Sequence, residues 1–242
     1  MAVGVGVGVG AAAGGREEPL TPSNGSRASS ADRPRVFGCE PAATGLVRNG
    51  SRYGNQVALT FDDGPGPDTP EVLRILEEEG AGATFFVTGS AASRAPEVLD
   101  EMMRSGFELG SHSMAHEQYP TLESIQGVSE IIQAATGFEP CLFRPPYGLV
   151  DAATEAAATE AGMATVLWDV DSSDYAAPTA AEVLAQAEQA ESGSILVMHD
   201  GPEQRDPTVE ALPTLIRDLK GRGFELVTVT ELLGGDYLTA PR

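Results

Sequence analysis

The chain has 242 residues, a hydrophobic fraction of 41% and a formal charge of −21, enough apolar material for one large α/β domain. A surface this acidic repels nucleic-acid phosphates and anionic headgroups, so nucleic acid is excluded as a partner and uncharged ligands such as sugars are easier to accommodate. The same charge also serves simply to keep a protein dispersed. No apolar run approaches the ~18 residues of a membrane-spanning helix.

Residues 1–35 are rich in Gly, Ser, Pro, Ala and Arg and nearly lack large apolar side chains. Such a stretch cannot bury enough surface to offset its ordering entropy, which predicts a disordered tail and linker. Met1–Gly15 has no Lys or Arg ahead of its apolar part and so fails the usual export-signal pattern, although the small residues Ala11–Gly15 keep an unusual signal in play. The two cysteines, Cys39 and Cys141, lack C-x-x-C spacing. Pairing between them is left open by the sequence.

From Val36 onward, short β-rich runs alternate with helical patterns. Strands are predicted at Val57–Phe61, Ala83–Val87, Phe107–Gly110, Leu142–Arg144, Thr165–Asp169, Ser194–His199 and Glu225–Val229. The helix after the first has Thr69 as its expected N-cap, Pro70 and Glu71 in its first turn, the apolar face Val72, Leu73, Ile75 and Leu76, and Gly80 as its stop. A second begins near Pro96, with Val98, Leu99, Met102 and Met103 buried. Others fit 124–135, 152–161, 179–191 and 212–220. Repeated strand–helix alternation implies a parallel sheet with helical crossovers. Seven strands suggest a short, incomplete (β/α) barrel, with a doubly wound open sheet as the alternative. Either fold binds ligands at the carboxyl ends of its strands.

The ionisable residues gather at that end. Asp62 and Asp63 follow the first strand, and His112 and His116 the third. Arg144 closes the fourth; Asp169, Asp171 and Asp174 accompany the fifth; His199 and Asp200 end the sixth. Any one of these reads as an ordinary polar loop residue, but five together do not. All three histidines of the chain lie in these segments. The i, i+4 spacing of His112 and His116 would place both rings on one face of a helical turn, suited to two ligands of one metal. A nearby carboxylate would complete a two-His, one-Asp set with open positions for water and substrate. Adjacent Asp62 and Asp63 would repel if they shared one role, so one as ligand and one as base resolves the conflict.

Five segments carry a family resemblance: Thr60-Phe61-Asp62-Asp63-Gly64-Pro65, His112-Ser113-Met114-Ala115-His116, Arg144-Pro145-Pro146-Tyr147-Gly148, 168–175 (WDVDSSDY) and 195–200 (ILVMHD). In order and type they resemble the motifs of the polysaccharide deacetylases, the NodB homology domain of the carbohydrate esterases. The resemblance spans roughly 55–234 and implies one catalytic domain over 36–242, a distorted (β/α)7 barrel that hydrolyses N- or O-acetyl groups on carbohydrate. It implies Asp62 as general base; Asp63, His112 and His116 as ligands of a divalent metal (zinc, cobalt or another first-row ion); and Arg144 as the partner of Asp62. It further implies the Tyr147 backbone N–H as an oxyanion donor, His199 as general acid, and Asp174 as the group holding His199 protonated. An extracellular or cell-wall setting is implied as well, against which the N-terminal pattern keeps a cytoplasmic one open. Oligomeric state is not specified.

Three positions depart from the family pattern. Tyr175 stands where Trp is usual, Val197 where Leu commonly lines the acyl pocket, and Glu117 where Pro frequently follows the second histidine. The first two enlarge or re-polarise the acyl pocket. Glu117 either adds charge near the metal or points to solvent. Two other readings accompany the deacetylase: a same-fold amidohydrolase acting on a small cyclic amide or acylated metabolite, and a catalytically silent sugar-binding module.

Overall fold

The computed structural model describes residues 1–4, 36–40, 45–176 and 179–239. Met1–Gly4 have no regular structure, and the rest of the expected tail lies outside the described residues. In chain order the elements are β1 (Val36–Glu40), β2 (Leu46–Val47), β3 (Gln56–Asp62), α1 (Thr69–Glu79), β4 (Ala83–Val87), α2 (Gly89–Ala92), α3 (Pro96–Arg104) and β5 (Glu108–Ser111). There follow α4 (Leu122–Thr136), β6 (Leu142–Phe143), a 3-10 turn (Pro146–Gly148), α5 (Ala152–Glu160), β7 (Ala164–Val166), β8 (Val170–Asp171) and a second 3-10 turn (Asp174–Ala176). The chain continues with α6 (Ala180–Ala187), β9 (Ile195–His199), α7 (Asp206–Gly221), β10 (Glu225–Val227), α8 (Val229–Leu233) and β11 (Asp236–Thr239).

The large sheet runs β2-β7-β6-β5-β4-β3-β9-β8, with β10 added to the first half of β3, and every pairing in it is parallel. Its strands are covered on both faces, which is why β4 is buried at all five positions and reads as a continuous apolar run. Where one strand was expected at Thr165–Asp169, the segment 164–171 forms two, β7 and β8. Its first part lies on β6 and its second on β9, so the curled sheet comes round on itself as a distorted barrel. Phe61 and Phe85 stack with ring centroids 5.0 Å apart on the sheet face opposite Asp62 and Phe86, and Phe107 meets Phe85 edge-on. A separate two-stranded ribbon, β1 antiparallel to β11, is fastened to the barrel by a Cys39–Cys141 disulfide with a Cα–Cα distance of 5.5 Å.

The helices follow their sequence signals with small shifts. α1 carries Pro70 in its first turn and ends on Gly80 in the left-handed conformation, φ 60°. Its N-cap is Asp68 rather than Thr69, and no side chain caps it. The Asp68 carboxylate is taken instead by the Arg205 backbone N–H, while Thr69 turns inward to Asp200. α7 begins six residues before the expected start and accommodates Pro213 in its interior.

Candidate active site

The carboxyl ends of β3, β5, β6, β8 and β9 converge on a cleft of about 380 Å³. Asp62, Asp63, His112, His116, Tyr147 and His199 all line it, with Trp168, Asp171, Tyr175 and Val197. Arg144 and Asp174 stand directly behind this lining and bond to Asp62 and His199. The structure therefore brings together all eight residues to which the family resemblance gives a role.

Asp62 is the last residue of β3 and is buried. Arg144, wholly buried, donates from Nη1 to Asp62 Oδ1 at 2.8 Å and to Thr60 Oγ1 at 2.7 Å. Its Nε and Nη2 donate to the carbonyls of Val166 and Leu167, and its guanidinium stacks 4.1 Å above the Phe86 ring. Burial lowers the Arg144 pKa while Asp62 opposes the shift; an arginine stays cationic regardless. Every direction in which the guanidinium could swing is occupied, so Asp62 has a fixed, charged partner.

Asp63 leaves the strand with φ 73°. Its Oδ1 faces His112 Nε2 at 3.4 Å and His116 Nε2 at 3.3 Å. His112 Nδ1 lies 2.7 Å from the Arg144 carbonyl, which fixes the tautomer with the proton on Nδ1 and the Nε2 lone pair toward Asp63. Donor atoms of Asp63, His112 and His116 lie within 4.8 Å of one another. Asp63 Oδ1 is buried without a hydrogen-bond partner, an arrangement that costs free energy unless a cation meets it. Burial pushes the Asp63 carboxyl up, but contact with His112 and the charges of His112, His116 and His199 outweigh it and leave the group lowered. His116 is lowered, first by burial and then by His112. An ionised Asp63, a His116 imidazole disposed to be neutral and a His112 Nε2 aimed at the same point suit a divalent cation, so these residues fit a metal.

The histidine pair is not on a helical turn, as the spacing suggested. Residues 112–116 form an irregular loop in which Ser113 and His116 have φ of 68° and 58°. Glu117 neither flanks the triad nor projects freely. It accepts hydrogen bonds from Ala115 N at 3.1 Å and Ser124 Oγ at 3.1 Å and closes the loop that carries His116. Among the described residues, positive φ outside glycine occurs at Asp63, Ser113, His116, Tyr147 and Ser173, all in the loops that build this cleft. Each costs about 1–3 kcal/mol and persists because the surroundings over-determine it.

On the opposite wall, His199 Nδ1 meets Asp174 Oδ1 at 2.7 Å, and Asp174 Oδ2 accepts from His199 N at 2.8 Å and Thr208 Oγ1 at 2.6 Å. Burial would push the imidazolium down, but the bond to Asp174 and the charges of Asp174, Asp62 and Asp63 raise His199 to about 9. Tyr175 lies edge-on to the His199 ring, 5.8 Å between centroids, and Val197 is buried on β9. Asp169, grouped with Asp171 and Asp174 on sequence, lies elsewhere: it pairs with Arg52 at 2.6 Å and accepts from Ile195 N. Asp200, assigned no role from sequence, is fully buried and accepts from Thr69 Oγ1 at 2.5 Å. A Cβ at Gly64 would collide with both its carboxylate oxygens, which accounts for glycine in the turn after Asp63.

Comparison with known proteins agrees with this arrangement. The polysaccharide deacetylase family model matches residues 49–166. The peptidoglycan-N-acetylglucosamine deacetylase of Bacillus cereus is 38% identical over 186 residues, 73% of this chain and 87% of that protein. The chitooligosaccharide deacetylase of Bradyrhizobium sp. is 34% identical over 196 residues, covering 73% and 90% of the two chains. Among solved structures, a CE4 family pseudoenzyme from Bacillus anthracis superposes with a TM-score of 0.74 at 28% identity, covering 79% of this chain and 69% of that one. With five ordered motifs on five strand ends and relatives matched over most of their length, the chain belongs to the polysaccharide deacetylase family, the CE4 carbohydrate deacetylases.

Proposed function

We propose that the chain is a metal-dependent hydrolase that removes the N-acetyl group of an amino-sugar glycan. The observation that carries this reading is one cleft holding the Asp63–His112–His116 donor triad between two separate charged pairs, Asp62–Arg144 and His199–Asp174. Asp63 Oδ1 and the two Nε2 atoms would hold a divalent first-row ion such as zinc or cobalt. When bound, that ion supplies Lewis acidity toward the acyl oxygen and the attacking water.

The remaining chemistry belongs to the chain. Asp62 accepts a proton from the water that adds to the acyl carbon, and the bond from Arg144 holds its carboxylate in place. The Tyr147 N–H, in a turn held at φ 60°, supports the negative charge that develops on the acyl oxygen. His199 delivers its Nε2 proton to the departing nitrogen while Nδ1–H stays on Asp174, and the C–N bond breaks to give acetate and the free amine. An amine leaves only when protonated, so an imidazolium held up to about 9 favours an amide substrate over an ester. The presence of base, arginine, acid and all three donors weighs against a silent sugar-binding module.

The test is acetate release by metal-stripped protein before and after reconstitution with zinc or cobalt, on N-acetylglucosamine oligomers, peptidoglycan and acetylxylan. Metal-dependent release from an N-acetylated glycan is expected. Release from acetylxylan alone would overturn the N-acetyl assignment. Stoichiometric metal with no release from any would move the reading to a small cyclic amide or acylated metabolite, with Tyr175 and Val197 as the altered pocket walls.

A further inference from the structure

A second depression of about 240 Å³ adjoins the cleft and shares Asp63 and His116 with it. Its other walls include Thr88, Ser90, Arg94 and Pro202. The segment carrying Arg94 leaves the carboxyl end of β4, the same end as the donor triad, and is fixed to the histidine loop by two backbone bonds. Gly89 N donates to Ser113 O at 3.0 Å and Ser90 N to Met114 O at 2.8 Å. Gly89 permits this contact, because a Cβ there would strike the Met114 thioether. The Arg94 wall is thus held in register with His116.

Arg94 is also unspent. Arg52, Arg74, Arg104, Arg144 and Arg217 each pair with a carboxylate of the chain. Among the described residues Arg94 has neither an ion pair nor a side-chain hydrogen bond, and it is exposed at the rim of this depression. Of the described arginines, Arg48, Arg205 and Arg222 also form no ion pair, but Arg94 alone of these four lines a depression shared with the triad, where its solvated guanidinium is free to meet an external anion. A guanidinium fork with two hydroxyls nearby, those of Thr88 and Ser90, matches a carboxylate. The rest of the surface repels one.

We propose that this depression is a carboxylate-binding subsite, in which Arg94 holds an acidic substituent on the sugar next to the one that is deacylated. The preferred glycan is then an acidic one, such as alternating N-acetylglucosamine and N-acetylmuramic acid, rather than a neutral oligomer. This rests on the glycan reading above and specifies its substrate class.

The experiment compares the intact, metal-loaded protein and its Arg94→Gln, Arg94→Lys and Arg94→Glu variants. The probes are a peptide-free tetrasaccharide of those two sugars, its methyl ester, the peptide-bearing form and the N-acetylglucosamine tetramer. The ratio of kcat/KM for free acid over methyl ester is expected to fall about 3- to 10-fold in Arg94→Gln, mostly through KM, and further in Arg94→Glu. Arg94→Lys should recover part of it, and about 0.5 M salt should shrink the wild-type preference. A preference already present with the peptide-free acid assigns the lactyl carboxylate. One that appears only with the peptide-bearing glycan assigns a peptide carboxylate. An acid-to-ester ratio that is the same in wild type and Arg94→Gln for both glycans overturns the subsite. If no probe releases acetate, the deacetylase reading fails separately, and calorimetric binding of acid and ester to wild type and Arg94→Gln still decides the subsite.

Discussion

At the scale of single residues, the proposed base and the proposed acid each have their own buried counter-charge. Asp62 has Arg144, and His199 has Asp174. In the proposed role of acid, His199 must be protonated to act. Its folded-state pKa is raised, so the imidazolium is fully present near neutrality and is lost as pH rises through about 9. Replacing Asp174 by Asn removes the bond and charge that hold it there. The alkaline limb of kcat/KM for an N-acetyl substrate should then move down toward the ordinary histidine range, ~6.5, with a loss of about 10-fold or more at pH 8. Activated esters, whose leaving groups need no proton, should lose much less. A pH profile of acetate release measures both, and an alkaline limb unmoved in Asp174→Asn would mean that His199 is not the acid. The residues of this machinery were legible in the sequence because each is a chemically distinctive type at the end of an apolar run. What the sequence could not show is backbone. Asp63, His116 and Tyr147 adopt φ of 73°, 58° and 60°, a region that side chains avoid and that the sequence marks only when glycine fills it. The placement of Asp169 escaped for a different reason, since its partner Arg52 is more than a hundred positions away in the chain.

At the scale of elements, the longer barrel strands were legible because burial on both faces makes them continuous apolar runs, whereas the two-residue β2 and β8 were not. The β1–β11 ribbon and α8 were not, being short, and in the ribbon's case lying outside the barrel. One polar residue betrays how α8 docks. Glu108 opens β5 fully buried, and its carboxylate accepts from Thr84 Oγ1 on β4 at 2.8 Å, from Thr230 N on α8 at 3.1 Å and from Thr230 Oγ1. Burial raises this carboxyl to about 7, against the pull of the Thr230 and Thr84 bonds. The folded state therefore favours the neutral acid, while the unfolded chain ionises near the ordinary ~4.3. The stability this provides is complete below the unfolded value, declines as pH rises, and is gone once pH passes about 7. Glu108→Gln keeps the shape and acceptor oxygen without the ionisation. Thermal midpoints between pH 5 and pH 8 should fall more steeply for wild type than for Glu108→Gln, so that the variant gains relative stability at pH 8. Parallel curves would show that Glu108 is ionised, or neutral, throughout that range.

At the scale of the whole molecule, the site and the main covalent constraint sit at opposite ends of the barrel. The side chains that line the cleft crown the carboxyl ends of the strands. Cys141 immediately precedes β6 and ties the amino end of that strand to Cys39 in β1. The sequence left this pairing open because the two cysteines are 102 positions apart and only the fold brings their Cα atoms to 5.5 Å. Closing a loop of that length restricts the unfolded chain by about 4–5 kcal/mol in the chain-entropy model. For a domain of this size each kcal/mol moves the thermal midpoint by ~2–4 °C. The Cys39→Ser, Cys141→Ser double variant should therefore melt about 10 °C lower than wild type, and wild type treated with a reductant should follow it. Acetate release at 25 °C should nevertheless persist in both, because among the described residues none of those proposed to act in the cleft is hydrogen-bonded to the ribbon. Calorimetry paired with an activity assay separates the outcomes. An unshifted midpoint would mean that ribbon and barrel hold together without the bond. Lost activity in a still-folded variant would mean instead that the disulfide's influence reaches across the barrel to the strand ends where Asp62, His112 and His199 meet.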